Sequence, residues 1–145
     1  MEVDMIKKTF LSAMLLFIFS SAISAQIEND EKVKAGKRAE DLLQTIRDEK
    51  WSEIIKFVVV IEDFDKQTGK TGRTFRFPTD EETKEKIINR FKRTYSSLKP
   101  GRIIGVNIFE KDKTIAGVAY KHGDKDGFRM FLVDGEWYYG IQYLQ

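Results

Sequence analysis

Two runs of alternating apolar and polar residues near the end of the chain, 128–133 and 136–144, flank the pair Asp134-Gly135. Aspartate followed by glycine readily takes the positive φ angles of a two-residue hairpin turn, so the runs are expected to pair as antiparallel strands. That register sets Leu132 opposite Trp137, Met130 opposite Tyr139 and Phe128 opposite Ile141, all on one face that must be buried. Arg129, Phe131 and Tyr138 then point the other way and give the sheet an unusually apolar outer face.

Upstream, 103–111 and 114–121 read as two further strands joined at Asp112-Lys113, and 122–127 as the loop leading into the hairpin. The first half of the chain is helical in period. Ala39, Leu42, Leu43 and Ile46 recur at spacings of three and four, which places one apolar stripe on a helix. Trp51, Ile54, Ile55 and Val58 continue it in a second short helix after a break near residues 50–52. Residues 57–77 leave two readings open, a helix end or a hairpin, with the β-branched run at 58–61 favouring strand and glycines at 69 and 72 favouring a turn. After Pro78, Thr79 and Glu82 have the spacing of a capping box. Ile87, Ile88, Phe91, Tyr95 and Leu98 form the apolar face of a third helix that Pro100 and Gly101 end. Helices first and a strand meander last predict an α+β domain, with the helices packed on one face of a curved antiparallel sheet.

The amino terminus has another purpose. Lys7 and Lys8, the apolar run 10–23 and the small residue Ala25 form the three parts of a secretory signal, with cleavage expected before Gln26. Glu2 and Asp4 are foreign to such a segment, which makes Met5 an alternative start. The apolar run falls short of the roughly 20 residues of a stable span, so no membrane anchor is expected after cleavage. The expected organisation is a signal peptide over 1–25 and one domain over 26–145, exported to a bacterial periplasm or beyond the cell. The chain has no cysteine, which excludes disulfides, a lipid-modified cysteine and thiolate metal sites. Its 25 Lys and Arg against 23 Asp and Glu are interspersed, and a net charge of +2 gives no case for nucleic acid.

The Ala-Glu-Asp-Leu-Leu segment at 39–43, the Trp-Ser-Glu-Ile-Ile segment at 51–55 and the closing hairpin at 131–138 together resemble the NTF2-like and cystatin-like domains, in particular their small secreted bacterial members. The resemblance implies a conical pocket between helices and sheet, and pairing of two copies through the sheet's outer face. The Gln-x-Val-x-Gly string of protease-blocking cystatins is absent from the sequence.

No cluster spells out catalysis, a metal site or a cofactor. Gly69-Lys70-Thr71 lacks the upstream glycine of a phosphate loop, and Phe64 stands in its place. His122 is the only histidine and is expected in a solvated turn, and Asp124, Asp126 and Gly127 make only part of a calcium loop. Glu62, Asp63 and Asp65 read as a hydrated loop rim. What remains is aromatic. Trp51, Tyr120, Arg129, Phe131, Tyr138 and Tyr139 are the candidate ligand-binding or interface residues, since such rings bury large areas while keeping a polar handle. The expected function is therefore a non-enzymatic binding domain for a small apolar ligand, a protein partner or a second copy. The competing reading is a small pocket hydrolase or isomerase using one Asp or His. If the export reading holds, intact-mass measurement on protein recovered outside the cytoplasm will give a chain beginning at Gln26; a product retaining 1–25 would refute it.

Overall fold

The computed structural model describes residues 2–64 and 71–142, with side chains over 21–62 and 73–142. Helix α1 spans Glu2–Arg47. Ala35, Ala39, Leu42, Leu43 and Ile46 lie along it at spacings of three and four and are at most 1% exposed, as the stripe requires. The helix stops by a Schellman arrangement: the Lys50 amide donates to the Thr45 carbonyl at 3.1 Å and the Glu49 amide to that of Ile46 at 3.0 Å. Glu49 takes the left-handed φ of 55° that this ending needs. A 3-10 helix, Trp51–Phe57, follows and buries Ile54 and Phe57.

Residues 57–77 resolve as a hairpin. Strands β1, Val58–Phe64, and β2, Thr71–Arg76, pair antiparallel with Ile61 opposite Phe75. Most of the expected turn, 65–70, lies outside the described residues. Helix α2 spans Glu81–Tyr95, and its cap is Asp80, whose carboxylate accepts the Thr83 amide at 2.8 Å. Thr79 is therefore one residue too early for the cap; a carboxylate there also complements the positive helix terminus. Ile87, Phe91 and Tyr95 are buried, whereas Leu98 lies beyond the helix and is 48% exposed.

Four strands close the chain: β3 (Ile103–Ile108), β4 (Ile115–His122), β5 (Asp124–Val133) and β6 (Glu136–Gln142). Asp134 and Gly135 turn between β5 and β6 with φ of 50° and 83°, and the register sets Leu132 opposite Trp137 and Met130 opposite Tyr139, as the sequence dictates. The expected loop at 122–127 is instead strand. Pairing of β4 with β5 runs to His122 opposite Asp124, with only Gly123 between them at a φ of 69°.

The six strands form one open sheet in the order β2-β1-β6-β5-β4-β3. It is mixed and not antiparallel throughout, because β1 and β6 run parallel, with Val58 beside Tyr139 and Val60 beside Ile141. The α+β class stands; the purely antiparallel sheet does not. Hairpin patterning specifies partners adjacent in sequence, and it carries no information on which strand ends beside β1.

One face of the sheet, the inner face, meets the helices. Leu42, Ile54, Ile87 and Phe91 pack there against Val58, Val60, Tyr120 and Ile141, while Ala35 and Ala39 admit Ile108, Val118, Met130 and Trp137. Arg38 fastens α1 to the strand entrances: it donates to the Lys56 carbonyl at 2.6 Å and to that of Trp137 at 3.2 Å. Among the described residues no helix is long and apolar enough to cross a membrane.

The outer face is half covered by the chain itself. Phe131 is only 2% exposed, seated beside Phe75 at 5.9 Å with the Arg73 guanidinium 5.5 Å over its ring. Arg73 in turn pairs with Asp112 of the β3–β4 turn. Since β2 and β3 are the two ends of the strand order, the sheet curls enough to bring them together. Burial pushes the Asp112 carboxyl up, but hydrogen bonds from Thr114 and Arg73 outweigh it and hold the group below the usual carboxylate range.

Gly140 makes the seat for Phe131. A Cβ there would collide with the Phe131 ring and come within 2.7 Å of Ile61 Cδ1. Gly140→Val is therefore expected to destabilise the protein by about 1–3 kcal/mol through overpacking, measured by urea unfolding, with part of the loss recovered by Phe131→Leu. An unchanged midpoint would show that the ring is not held there.

Candidate functional site

The six aromatic and basic candidates divide between the two faces. Trp51 and Tyr139 are partly buried against the inner-face core, and Tyr120 is 3% exposed within it. On the outer side Phe131 is covered by its own chain, and Tyr138 meets Phe77 edge-on at 5.2 Å. Arg129 is exposed, its guanidinium 5.4 Å above the ring of Phe109. They therefore do not form one site.

On the inner side a hydrogen-bonded chain joins α2 to the tip of the β4–β5 hairpin. The Tyr95 and Tyr120 hydroxyls lie 2.8 Å apart, and the Tyr120 hydroxyl donates to Asp126 Oδ2 at 3.3 Å. The same carboxylate oxygen is 3.5 Å from His122 Nδ1, and His122 Nε2 is 2.9 Å from the Leu98 carbonyl oxygen. A carbonyl only accepts, so Nε2 carries a proton. His122 is thus no solvated turn residue: its side chain is 15% exposed and its ring lies 5.0 Å from that of Tyr95.

Burial keeps these phenols neutral. It pushes Tyr120 up to about 12, and it raises Tyr95 and Tyr139 as well. Tyr95 and Tyr120 are 6% and 3% exposed, so a substrate has little access to either hydroxyl. The arrangement is chemically equipped to relay a proton and geometrically a latch for α2.

The outer side is open where Phe131 does not reach. A groove of about 560 Å³ runs over β3, β4 and β5, floored by Gly105, Gly117, Ala119 and Gly127. These residues fall in register on one face: Gly105 opposite Ala119 opposite Gly127, and Asn107 opposite Gly117 opposite Arg129. Phe109 walls one end, its ring against Gly117. The next cross-strand pair is Lys121 opposite Lys125, two like charges directly facing, which is a destabilising arrangement. Lys121, Lys125 and Arg129 are exposed and make no ion pair among the described residues.

The sequence offered one signal for this groove, glycine inside strand-patterned segments, which marks a bulge, as at Gly105, or a close approach by another group. It gave none for Tyr95 joining Tyr120, which depends on α2 crossing the sheet.

A second cavity, of about 550 Å³, lies between α1 and the β3–β4 region, lined by Ile27, Glu28, Glu31, Ile108 and Lys113. Its wall includes Ser24 and Ala25, which precede the expected cleavage point, so cleavage there would remove part of it. Among the described residues no three His, Asp or Glu side chains gather to hold a metal ion. Asp124 and Asp126 belong to β5, and the Gly69-Lys70 and Asp65 positions lie outside the described residues.

Tyr120→Phe is expected to cost about 1–3 kcal/mol in urea unfolding, because it leaves the buried Tyr95 hydroxyl without its partner. The raised phenols set the alkaline limb. Groups whose folded pKa lies above the unfolded value of about 10 hold their full stabilisation below that pH and lose it as pH rises towards the folded values. Phenolate absorbance and unfolding will accordingly rise together, and a free titration of all five tyrosines near pH 10 would contradict the buried network. The sequence matches no protein-family model, and neither curated proteins nor solved structures yield a match.

Proposed function

We propose that the chain is an exported, non-enzymatic binding domain of the NTF2-like and cystatin-like kind, and that its contact surface is the outer face of β3, β4 and β5. Export rests on the tripartite signal at 1–25, and the family on the order of leading helices and closing meander. The observation that carries the binding reading is the groove over Gly105, Gly117, Ala119 and Gly127, bordered by cations that make no ion pair among the described residues. Helix-side packing supports the same choice. Phe91, Tyr95, Tyr120, Phe128 and Tyr139 fill the space between α2 and the sheet ring against ring, at centroid distances of 5.1–6.3 Å.

The Tyr95–Tyr120–Asp126–His122 chain favours a second reading, a small pocket enzyme of hydrolase or isomerase type. Its phenols and imidazole are near one another, as proton transfer requires. Their burial argues against it.

Selecting a random peptide library on the purified protein and mapping bound peptides by amide chemical shifts separates the two. The binding reading expects footprints on residues 105–107, 117–119 and 125–129. Footprints confined to α2 and the His122–Asp126 side of the hairpin would overturn it.

A further inference from the structure

We infer that the occupant of the outer groove is an extended acidic polypeptide segment, with carboxylates about 13 Å apart and an apolar stretch between them. This rests on the outer-face reading and adds the chemistry of the partner. Lys125 and Arg129 stand four residues apart on the same face of β5, a separation of about 13 Å at roughly 3.3 Å per strand residue. Lys121 doubles the charge at one end. Between the two poles the floor is glycine and alanine, without charge.

The pattern is cation, apolar floor, cation. A nucleic-acid strand carries a charge on every nucleotide and would lay phosphates over the uncharged floor. A peptide strand places side chains i, i+2 and i+4 on one face, so Glu at i and i+4 with a small apolar residue at i+2 matches all three zones. Asn107, exposed beside Gly117, offers both a donor and an acceptor to the peptide's backbone. The groove is open along its length, which suits a laid-on strand better than an enclosed small molecule.

A second copy of this chain is the poorer occupant. In a two-fold pair the same patch meets itself, so Lys121, Lys125 and Arg129 would face their own kind. An acidic partner removes the repulsion between the opposed lysines; a second copy adds to it.

The test is a titration of ¹⁵N-labelled protein with a synthetic twelve-residue peptide of repeating Glu-Ser-Val-Ser, beside the same peptide with Gln for Glu, a thymidine oligonucleotide and phosphatidylglycerol vesicles. The acidic peptide is expected to shift the amides of Gly105, Gly117 and Gly127 and to bind at least tenfold more weakly in 0.5 M salt. The double change Lys125→Glu and Arg129→Glu should weaken it at least tenfold. Gly105→Val should do the same without altering charge, and it is compatible with the fold because a Cβ at 105 has nothing within 4 Å. Equal binding by Gly105→Val and the parent protein would reduce the effect to diffuse surface charge and overturn the inference. So would tighter binding of the Gln peptide, the oligonucleotide or the vesicles in the groove, an outcome that leaves the outer-face reading intact. Shifts that avoid the groove for every probe would remove both.

Discussion

The parallel contact between β1 and β6 is the constraint from which the rest of the molecule follows. Val58, Val59, Val60 and Ile61 form a run of β-branched residues, and all four are at most 5% exposed. A strand apolar on both sides needs cover on both sides. Val58 and Val60 find it among the helices. Val59 and Ile61 face away from them, on the side shared with Gly140, Phe75 and Phe131. Among the described residues no helix packs there, and the chain supplies a side-chain lid: Phe131 lies across the bare backbone of Gly140, under Arg73. This lid covers β1, β6 and part of β5, and Arg73 ties it to Asp112 at the β3–β4 turn. The outer surface is thereby split into a closed half and an open half, and the groove is the open half.

The hairpin tip between β4 and β5 shows how charge is sorted to match. Along Lys121-His122-Gly123-Asp124-Lys125-Asp126 the strand period of two sends the lysines outward. His122 and Asp126 go inward and join the tyrosines. There the Tyr120 hydroxyl reaches both Tyr95 and Asp126, and the His122 ring reaches the Leu98 carbonyl. Outside, the lysines meet each other. The same six residues thus build a hydrogen-bonded latch on one side and a cationic edge without ion pairs among the described residues on the other.

Local signals were legible and long-range ones were not. The Asp134-Gly135 turn, the α1 stripe and the facing of Met130 and Leu132 follow from residues a few positions apart, and each lies where the pattern puts it. The parallel partner of β1 sits some eighty residues away, and no periodicity encodes that pairing. The polar stretch at 122–127 reads as loop because strands are expected to be apolar; its alternation was the better guide. Phe131 reads as an exposed outer ring until Gly140 is known to lie beneath it. Of the candidate site residues, only Arg129 borders the open groove.

Three glycines in neighbouring strands deserve an energetic account, since each costs about 0.5–1 kcal/mol relative to alanine in a strand interior. At Gly117 a Cβ would press the Phe109 ring at 3.2 Å, and at Gly127 it would meet the Val118 carbonyl oxygen at 3.2 Å. Packing within the fold therefore accounts for both. Gly105 has no such neighbour within 4 Å, and no positive φ demands it. It stands at the register shift after Ile103, where β3 bulges against β4, a place where strands commonly carry glycine. A side chain there would occupy the groove itself, so the glycine also leaves room for something that lies against the sheet from outside.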